Sequence, residues 1–223
     1  MPARRAANIK KLNKIKPKRP DGRTLRARPR AAPRSGPRRQ AILDAGALLM
    51  QQRGFGGTTV EDVAGHLDLT KAAFYYYVEN KEELLFQIST QTLALADASI
   101  AAIERSDAAP DVKLGRMIDS FVHLVAERPA FFTVYFQEKG HLDADHLKTV
   151  TRVERKIAGA LERVLRDGMA GGAFRASDPA VAAFAILGMC FWIYKWFRPA
   201  GRSNVDEVSR TFQALVLRGT LTN

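Results

Sequence analysis

The sequence predicts an all-α protein of nine helices, with a three-helix head at residues 38–83 and a larger helical body at 84–223. Three observations predict it. Apolar residues recur at helical spacing from Arg38 onward, as in Ile42, Ala45, Gly46 and Leu49. Helix-start signals recur too: Thr, Asn or Asp stands before a first turn, and Pro110, Pro129 and Pro179 look like first-turn prolines. No convincing strand pattern appears beside them.

Residues 1–37 precede the helices and are rich in Lys, Arg, Pro and Ala. With sparse aliphatic positions (Ile9, Leu12, Ile15, Leu25), such a segment is expected to be a disordered basic arm. Up to Arg39 the chain carries 15 basic residues and one acid; the rest carries 20 basic and 22 acidic. The net charge of +12 therefore sits in the arm. This suits a polyanion such as DNA or an acidic membrane surface. The arm reads equally as a solvated tail, or as residues ahead of a later translation start.

The first helix should end at Gly54, after which Phe55 tucks into the small core. Thr58 and Thr59 stand before Glu61 and Asp62 at capping-box spacing, opening a second helix whose buried face is Val60, Val63, Ala64 and Leu67. Thr70 is an N-cap for a third helix. Asn80 with Glu83 forms another capping box, opening a long fourth helix through Leu84, Leu85, Ile88 and Leu95 to about Glu104. Further helices are expected at about 110–127, 129–138, 144–167, 178–197 and 204–219. Gly168, Gly171 and Gly172 mark one loop, and Pro199 with Gly201 another.

Several function classes find no support. Cys190 is the only cysteine, so no intramolecular disulfide can form, which fits a reducing cytoplasm. No apolar stretch follows the charged N-terminus as a secretory signal would. The longest apolar run, Ala180 to Tyr194, is short of the roughly 20 residues of a comfortable membrane span and reads as a buried helix. His141, Asp143, Asp145 and His146 cluster in a loop, but no second cluster supports a metal site. Cys190 reads as an inert thiol in an apolar helix. The glycines at 168–172 lack the lysine and preceding strand of a phosphate loop. No enzyme, cofactor or metal is expected.

The stretch from Thr58 to Lys81 carries the most information. Two short helices separated by a tight turn lead into a longer capped helix, the arrangement in which a second helix enters the DNA major groove. On the third helix Phe74 faces the core, with Val78 just beyond, leaving Thr70, Lys71, Tyr75 and Tyr76 outward. Three consecutive aromatics cannot share one helix face, so all three do not simply pack in a core; Tyr77 alone reads well as a packed residue. Tyrosine and threonine hydroxyls suit phosphate oxygens, Lys71 supplies charge, and Thr59 and Lys81 lie at helix starts that favour a phosphate.

Residues 38–88 resemble the DNA-binding head of the TetR family of bacterial repressors. That family runs roughly Ser/Thr-x-Gly-x-Leu-Tyr-Tyr-His-Phe, a polar pair, then Lys-Glu-x-Leu. Here it stands as Thr70-Lys71-Ala72-Ala73-Phe74-Tyr75-Tyr76-Tyr77-Val78-Glu79-Asn80-Lys81-Glu82-Glu83-Leu84. Upstream, Gly54-Phe55 and Thr58-Thr59-Val60-Glu61-Asp62-Val63-Ala64 match as well. The resemblance implies DNA contacts from Thr59, Lys71, Tyr75, Tyr76 and Lys81. Three departures matter. Ala72 replaces a glycine, Ala73 a frequently polar base reader, and Tyr77 the common histidine. Ala72 or Ala73 is then expected against thymine methyls, with DNA shape assisting.

The helix at 178–197 is apolar all round and must be covered on every side. The resemblance implies that it and the last helix form a four-helix interface in a homodimer, which also suits two heads on a pseudo-palindromic operator. The segment Trp192 to Gly201 resembles the C-terminal signature of a TetR subgroup that governs fatty-acid and steroid catabolism and senses acyl-CoA thioesters. That implies CoA phosphates at Lys195 and Arg198 and adenine on Trp192 or Trp196. Equally, these residues form a helix end anchored by aromatics, with cations at its negative pole. Met117, Phe121, Leu124, Phe131, Phe132, Phe136, Met169 and Met189 are candidate cavity walls, and plain core predicts the same residues. The favoured reading is a repressor released by a small apolar or acyl-CoA effector. The other is a ligand-independent architectural DNA-binding protein dominated by its arm. The large body favours the first.

Overall fold

The computed structural model describes residues 36–221, so the basic arm lies almost wholly outside the described residues. Within them are nine α-helices: α1 (Pro37–Arg53), α2 (Val60–His66), α3 (Lys71–Tyr75), α4 (Lys81–Glu104), α5 (Pro110–Glu127), α6 (Pro129–Glu138), α7 (Ala144–Ala170), α8 (Pro179–Trp196) and α9 (Val205–Thr220). One 3-10 turn, Lys139–His141, joins α6 to α7. A single antiparallel bridge between Phe174 and Leu221 is the only β pairing among the described residues.

Local chemistry sets most of the helix ends. Thr59 closes a full capping box with Asp62. Asp143 and Asp178 each accept from two backbone N–H groups at the starts of α7 and α8. Asn204 boxes with Glu207 at the start of α9. Prolines open α5, α6 and α8, where a missing N–H costs nothing. α1 begins on Pro37, one residue before the expected boundary, for the same reason.

Three expectations need correction. Asn80 accepts from the Glu83 N–H, but its box is half formed, because the Glu83 carboxylate takes the Gln87 amide at 2.7 Å. Leu95 lies outward on α4 rather than in the core. Gly168 is not a loop residue: α7 runs on to Ala170, and a Cβ at 168 would stand 2.2 Å from the Phe174 ring. Glycine there lets the segment after α7 fold back onto the helix. At Gly172, φ is +74°, which suits the reversal that follows.

The core is continuous from head to body. Ile42, Val63 and Phe74 of the head and Leu84, Leu85 and Ile88 of α4 belong to one buried cluster with Phe121, Leu161 and Ile193. α1 packs on α4 and α6, and α4 packs on α5, α6 and α7. The boundary expected at residues 83 and 84 therefore falls inside the first turn of α4. Gly46 permits the α1–α4 approach, since a Cβ there would meet Leu84 at 2.7 Å. By length and composition α8 could cross a membrane, yet Ala183, Ile186, Leu187, Cys190 and Ile193 are buried in the chain's own core. α9 is tied to α5 by Ser209 donating to Asp119 at 2.6 Å and by His123 meeting Asp206 at 3.0 Å.

Candidate nucleic-acid interface and effector pockets

The head presents α3 as a short, exposed helix. Thr70 caps it by accepting from the Ala73 N–H at 3.1 Å. Asp68 takes φ +52° in the turn before it, so the chain reverses tightly between α2 and α3. Phe74 and Val78 are fully buried and fix which way the helix faces. Thr70, Lys71 and Ala72 are exposed, Tyr75 is 43% and Tyr76 40% exposed, and Ala73 and Tyr77 are half-buried. Tyr77 packs edge-on to Tyr76, with ring centroids 5.0 Å apart. The outward set read from the sequence thus shares one surface.

The charges on this surface are partly paired. Lys71 forms an ion pair with Glu61 of α2. That hydrogen bond raises the pKa of Lys71 and holds the Glu61 carboxyl below the usual range. The ammonium also sits 5.9 Å from the Tyr75 ring centroid. Thr59 is occupied at both ends: its hydroxyl and its N–H donate to Asp62 at 2.6 and 2.8 Å. Lys81 turns inward, donating to the Phe55 carbonyl at 2.8 Å and lying 4.2 Å from the Phe55 ring centroid. A phosphate contact from Thr59 or Lys81 therefore requires these bonds to exchange.

Two of the hollows among the described residues bear on an effector. The larger, about 680 Å³, is a half-open hollow bordered by α4, α6, α7 and α8 and lined by Leu93, Phe136, Ile157, Leu187 and Phe191, together with the exposed Phe184 and Gly188. Its polar corner is a cluster the sequence reading missed. Tyr135 donates to Glu154, and Lys139 meets the same carboxylate at 2.7 Å. Burial works against the Glu154 charge, but hydrogen bonds from Lys139 and Tyr135 outweigh it and hold the carboxyl below its ordinary value. Burial, then Glu154, pushes the Tyr135 phenol well upward. A signal existed: Glu154 stands in the buried stripe of α7 between Val150, Ile157 and Leu161.

The smaller hollow, about 380 Å³, lies at the foot of α8. Lys195 and Arg198 line it beside Val125, Pro129, Thr133 and Tyr194, and so does Gln51 from α1. The Arg198 guanidinium donates to the Phe197 carbonyl at 2.8 Å and the Lys195 carbonyl at 3.3 Å, closing the end of the helix. Between the two hollows stands an aromatic partition. Phe136 of the larger stacks on Tyr194 of the smaller, with centroids 5.2 Å apart at 19°. Phe191 packs 5.5 Å from Phe136.

Of the expected cavity residues, Phe136 lines the larger hollow, and Lys195 and Arg198 the smaller. Met117, Phe121 and Phe132 are buried core instead, Phe131 is buried but borders a hollow beside Asp44 and Arg128, and Leu124, Met169 and Met189 are half-buried against the core. The reason is mutual stacking: Phe121 and Phe132 pack behind Phe191 at 5.1 and 6.1 Å. Trp192 and Trp196 line neither hollow and face outward. In the former loop, Asp143 caps α7, His141 stacks on Phe55 and His146 on Phe86. Cys190 is buried, and burial pushes its thiol up to about 12.

Residues 42–88 match the family described as bacterial regulatory proteins, tetR family, and residues 107–220 match the tetracyclin repressor-like C-terminal domain. The chain belongs to the TetR family. It is a DNA-binding transcriptional regulator by that membership. The TetR-family protein PfmR of Thermus thermophilus is 32% identical, with a TM-score of 0.76 over 80% of this chain and 97% of that one. AibR, solved in complex with isovaleryl coenzyme A and operator DNA, is 29% identical, with a TM-score of 0.73 over 80% of this chain and 97% of that one. The HTH-type transcriptional repressor KstR2 of Rhodococcus jostii is 26% identical over 184 residues, 82% of this chain and 90% of its own length.

One more surface of this TetR regulator bears on function. Val181, Phe184, Trp192 and Trp196 are exposed and fall at i, i+3, i+11 and i+15 along α8, a single outward stripe. Gly188 continues it at i+7. Leu215 of α9 is exposed as well. Among the described residues, the all-round apolar helix is therefore covered on its inner side and exposed along this stripe.

Proposed function

We propose that this chain is a cytoplasmic homodimeric repressor that holds a pseudo-palindromic operator and leaves it when an acyl-CoA thioester enters the body. Residues 1–37 add sequence-independent phosphate contacts, 38–83 read the operator, and 84–223 bind effector and partner. On the DNA side, Thr70, Lys71, Tyr75 and Tyr76 meet phosphates and base edges. Ala72 and Ala73 lie against thymine methyls, and Thr59, Tyr77 and Lys81 hold the flanks. The outward apolar stripe of α8 with Leu215 supports a mate packed there.

The observation that carries the effector reading is the pair of hollows. A 680 Å³ apolar cavity and a 380 Å³ hollow with two cationic side chains lie on either side of the Phe136–Tyr194 stack. An acyl chain suits the first and CoA phosphates the second. AibR, a similar protein, was solved with a coenzyme A thioester bound, and KstR2 is named a repressor. Trp192 and Trp196 move from the adenine site to the dimer face in this reading. A cavity-bearing body also argues against a protein that binds DNA with no ligand.

The test is a gel shift on the protein's own promoter with acyl-CoAs of short, medium and long chain. At least one is expected to weaken operator binding by about 5–150-fold, the usual range of coupling between two sites. If every acyl-CoA leaves the shifted band unchanged, the effector reading is wrong.

A further inference from the structure

Gln51 lies on the last turn of α1, the first helix of the head. Its side-chain amide donates to the Thr133 hydroxyl on α6 at 3.3 Å, and Thr133 in turn donates to the Pro129 carbonyl at 2.7 Å. Thr133 is 8% exposed, so its hydroxyl has little water with which to replace that partner. Both residues line the 380 Å³ hollow that holds Lys195 and Arg198. Gln51 also borders a third hollow, of about 560 Å³, with Asp44, Leu48 and Arg128. Gln51 thus borders open space in two hollows where α1 meets the body, and the Gln51–Thr133 bond lies at the first of them. Another polar link, Gln91 of α4 donating to Gln40 of α1 at 2.6 Å, lines neither of these hollows. Gly46 against Leu84 and Phe55 stacked on His141 at 4.7 Å are links of a different kind. Those are close-packed contacts that a small molecule does not enter.

We infer that the Gln51–Thr133 hydrogen bond is the contact through which an anionic effector group in this hollow acts on the DNA-reading head. This rests on the acyl-CoA reading above. An anionic group held by Lys195 and Arg198 fills the space beside the Gln51–Thr133 contact and crowds it apart, so the effector binds better when the two have parted. That difference in affinity between the joined and parted states is what allows a ligand to shift the head at all. Gln51 is on this account a positioning residue for operator release. It is not needed for folding, because its side chain is exposed.

The experiment measures octanoyl-CoA binding without DNA by calorimetry, and operator binding by fluorescence anisotropy with and without octanoyl-CoA. It compares wild type, Gln51→Leu, Thr133→Val, the double variant and Thr133→Ser. In Gln51→Leu and Thr133→Val the contact is already parted, so octanoyl-CoA is expected to bind no more weakly than to wild type. The effector-induced loss of operator affinity, about 5–150-fold in wild type, should fall below about twofold in each. The double variant should lose no more than either single one, as partners in one contact do. Thr133→Ser keeps the hydroxyl and should restore release. If Gln51→Leu is released as wild type is, the inference is overturned while the acyl-CoA reading stands. Loss of octanoyl-CoA binding in Gln51→Leu also overturns it, since Gln51 would then hold the ligand instead of transmitting its presence. If wild type binds no acyl-CoA of any chain length, both fall together.

Discussion

Phe184→Glu combined with Trp192→Glu is expected to turn the protein into a monomer that has lost about 10²- to 10⁴-fold in operator affinity. Phe184 is 68% and Trp192 58% exposed, and both lie in the outward stripe of α8. In a two-fold dimer each occurs twice, and burying one such side chain is worth about 1.5–3 kcal/mol. A carboxylate in the same place would be taken from water into an apolar contact, which is costly. The operator effect follows from geometry. Two linked heads bind as one unit, and separating them removes the effective concentration that the first head gives the second. The fold itself should survive, because neither side chain belongs to the buried core. Sedimentation velocity reads the mass and circular dichroism the helix content. A folded double variant that remains dimeric would place the interface elsewhere.

Tyr75→Phe with Tyr76→Phe is the second large effect. Both rings are exposed, while Phe74 and Val78 anchor α3 from beneath. Removing only the hydroxyls leaves Tyr75 edge-on to Phe74 at 5.8 Å and Tyr76 edge-on to Tyr77 at 5.0 Å, so the head keeps its shape. A hydrogen bond to a charged group contributes about 1.5–3 kcal/mol, or roughly tenfold to a hundredfold per tyrosine in each head. Operator anisotropy at fixed salt should show at least about thirtyfold weaker binding, with unchanged dimer mass and unchanged octanoyl-CoA affinity. Binding equal to wild type would mean that the hydroxyls meet no phosphate.

The helix boundaries were legible because local chemistry sets them. Thr59, Thr70, Asp178, Pro110, Pro129 and Pro179 act within a turn of their own backbone, and each stands at a helix start. The faces of the head were legible for a similar reason: Phe74 and Val78, four residues apart, leave one direction for Tyr75 and Tyr76. What failed depended on partners distant in sequence or in competition. Glu83 left its capping box for Gln87, and Gly168 answered to Phe174. α8 is apolar on every side, so nothing local tells its inward face from its outward one. The resemblance at Trp192–Gly201 implies adenine on Trp192 or Trp196, yet they line neither of the two body hollows and are exposed. Met117, Phe121 and Phe132 were indistinguishable from a cavity wall until their stacking against Phe191 and the core was visible. Glu154 was readable as a charge in an apolar stripe, but its partners Tyr135 and Lys139 lie on the segment before the turn into α7.

The central claim is that one thioester ligand spans the Phe136–Tyr194 partition, with its acyl chain in the larger hollow and its phosphates beside Lys195 and Arg198. Calorimetric titration of the wild-type protein with octanoyl-CoA, octanoate and free coenzyme A, without DNA, tests this most directly. The account predicts one octanoyl-CoA per protomer, bound at least about tenfold more tightly than either part alone, which corresponds to about 1.4 kcal/mol or more. Octanoate binding as tightly as octanoyl-CoA would contradict it, because the cationic hollow would then take no part in holding the ligand.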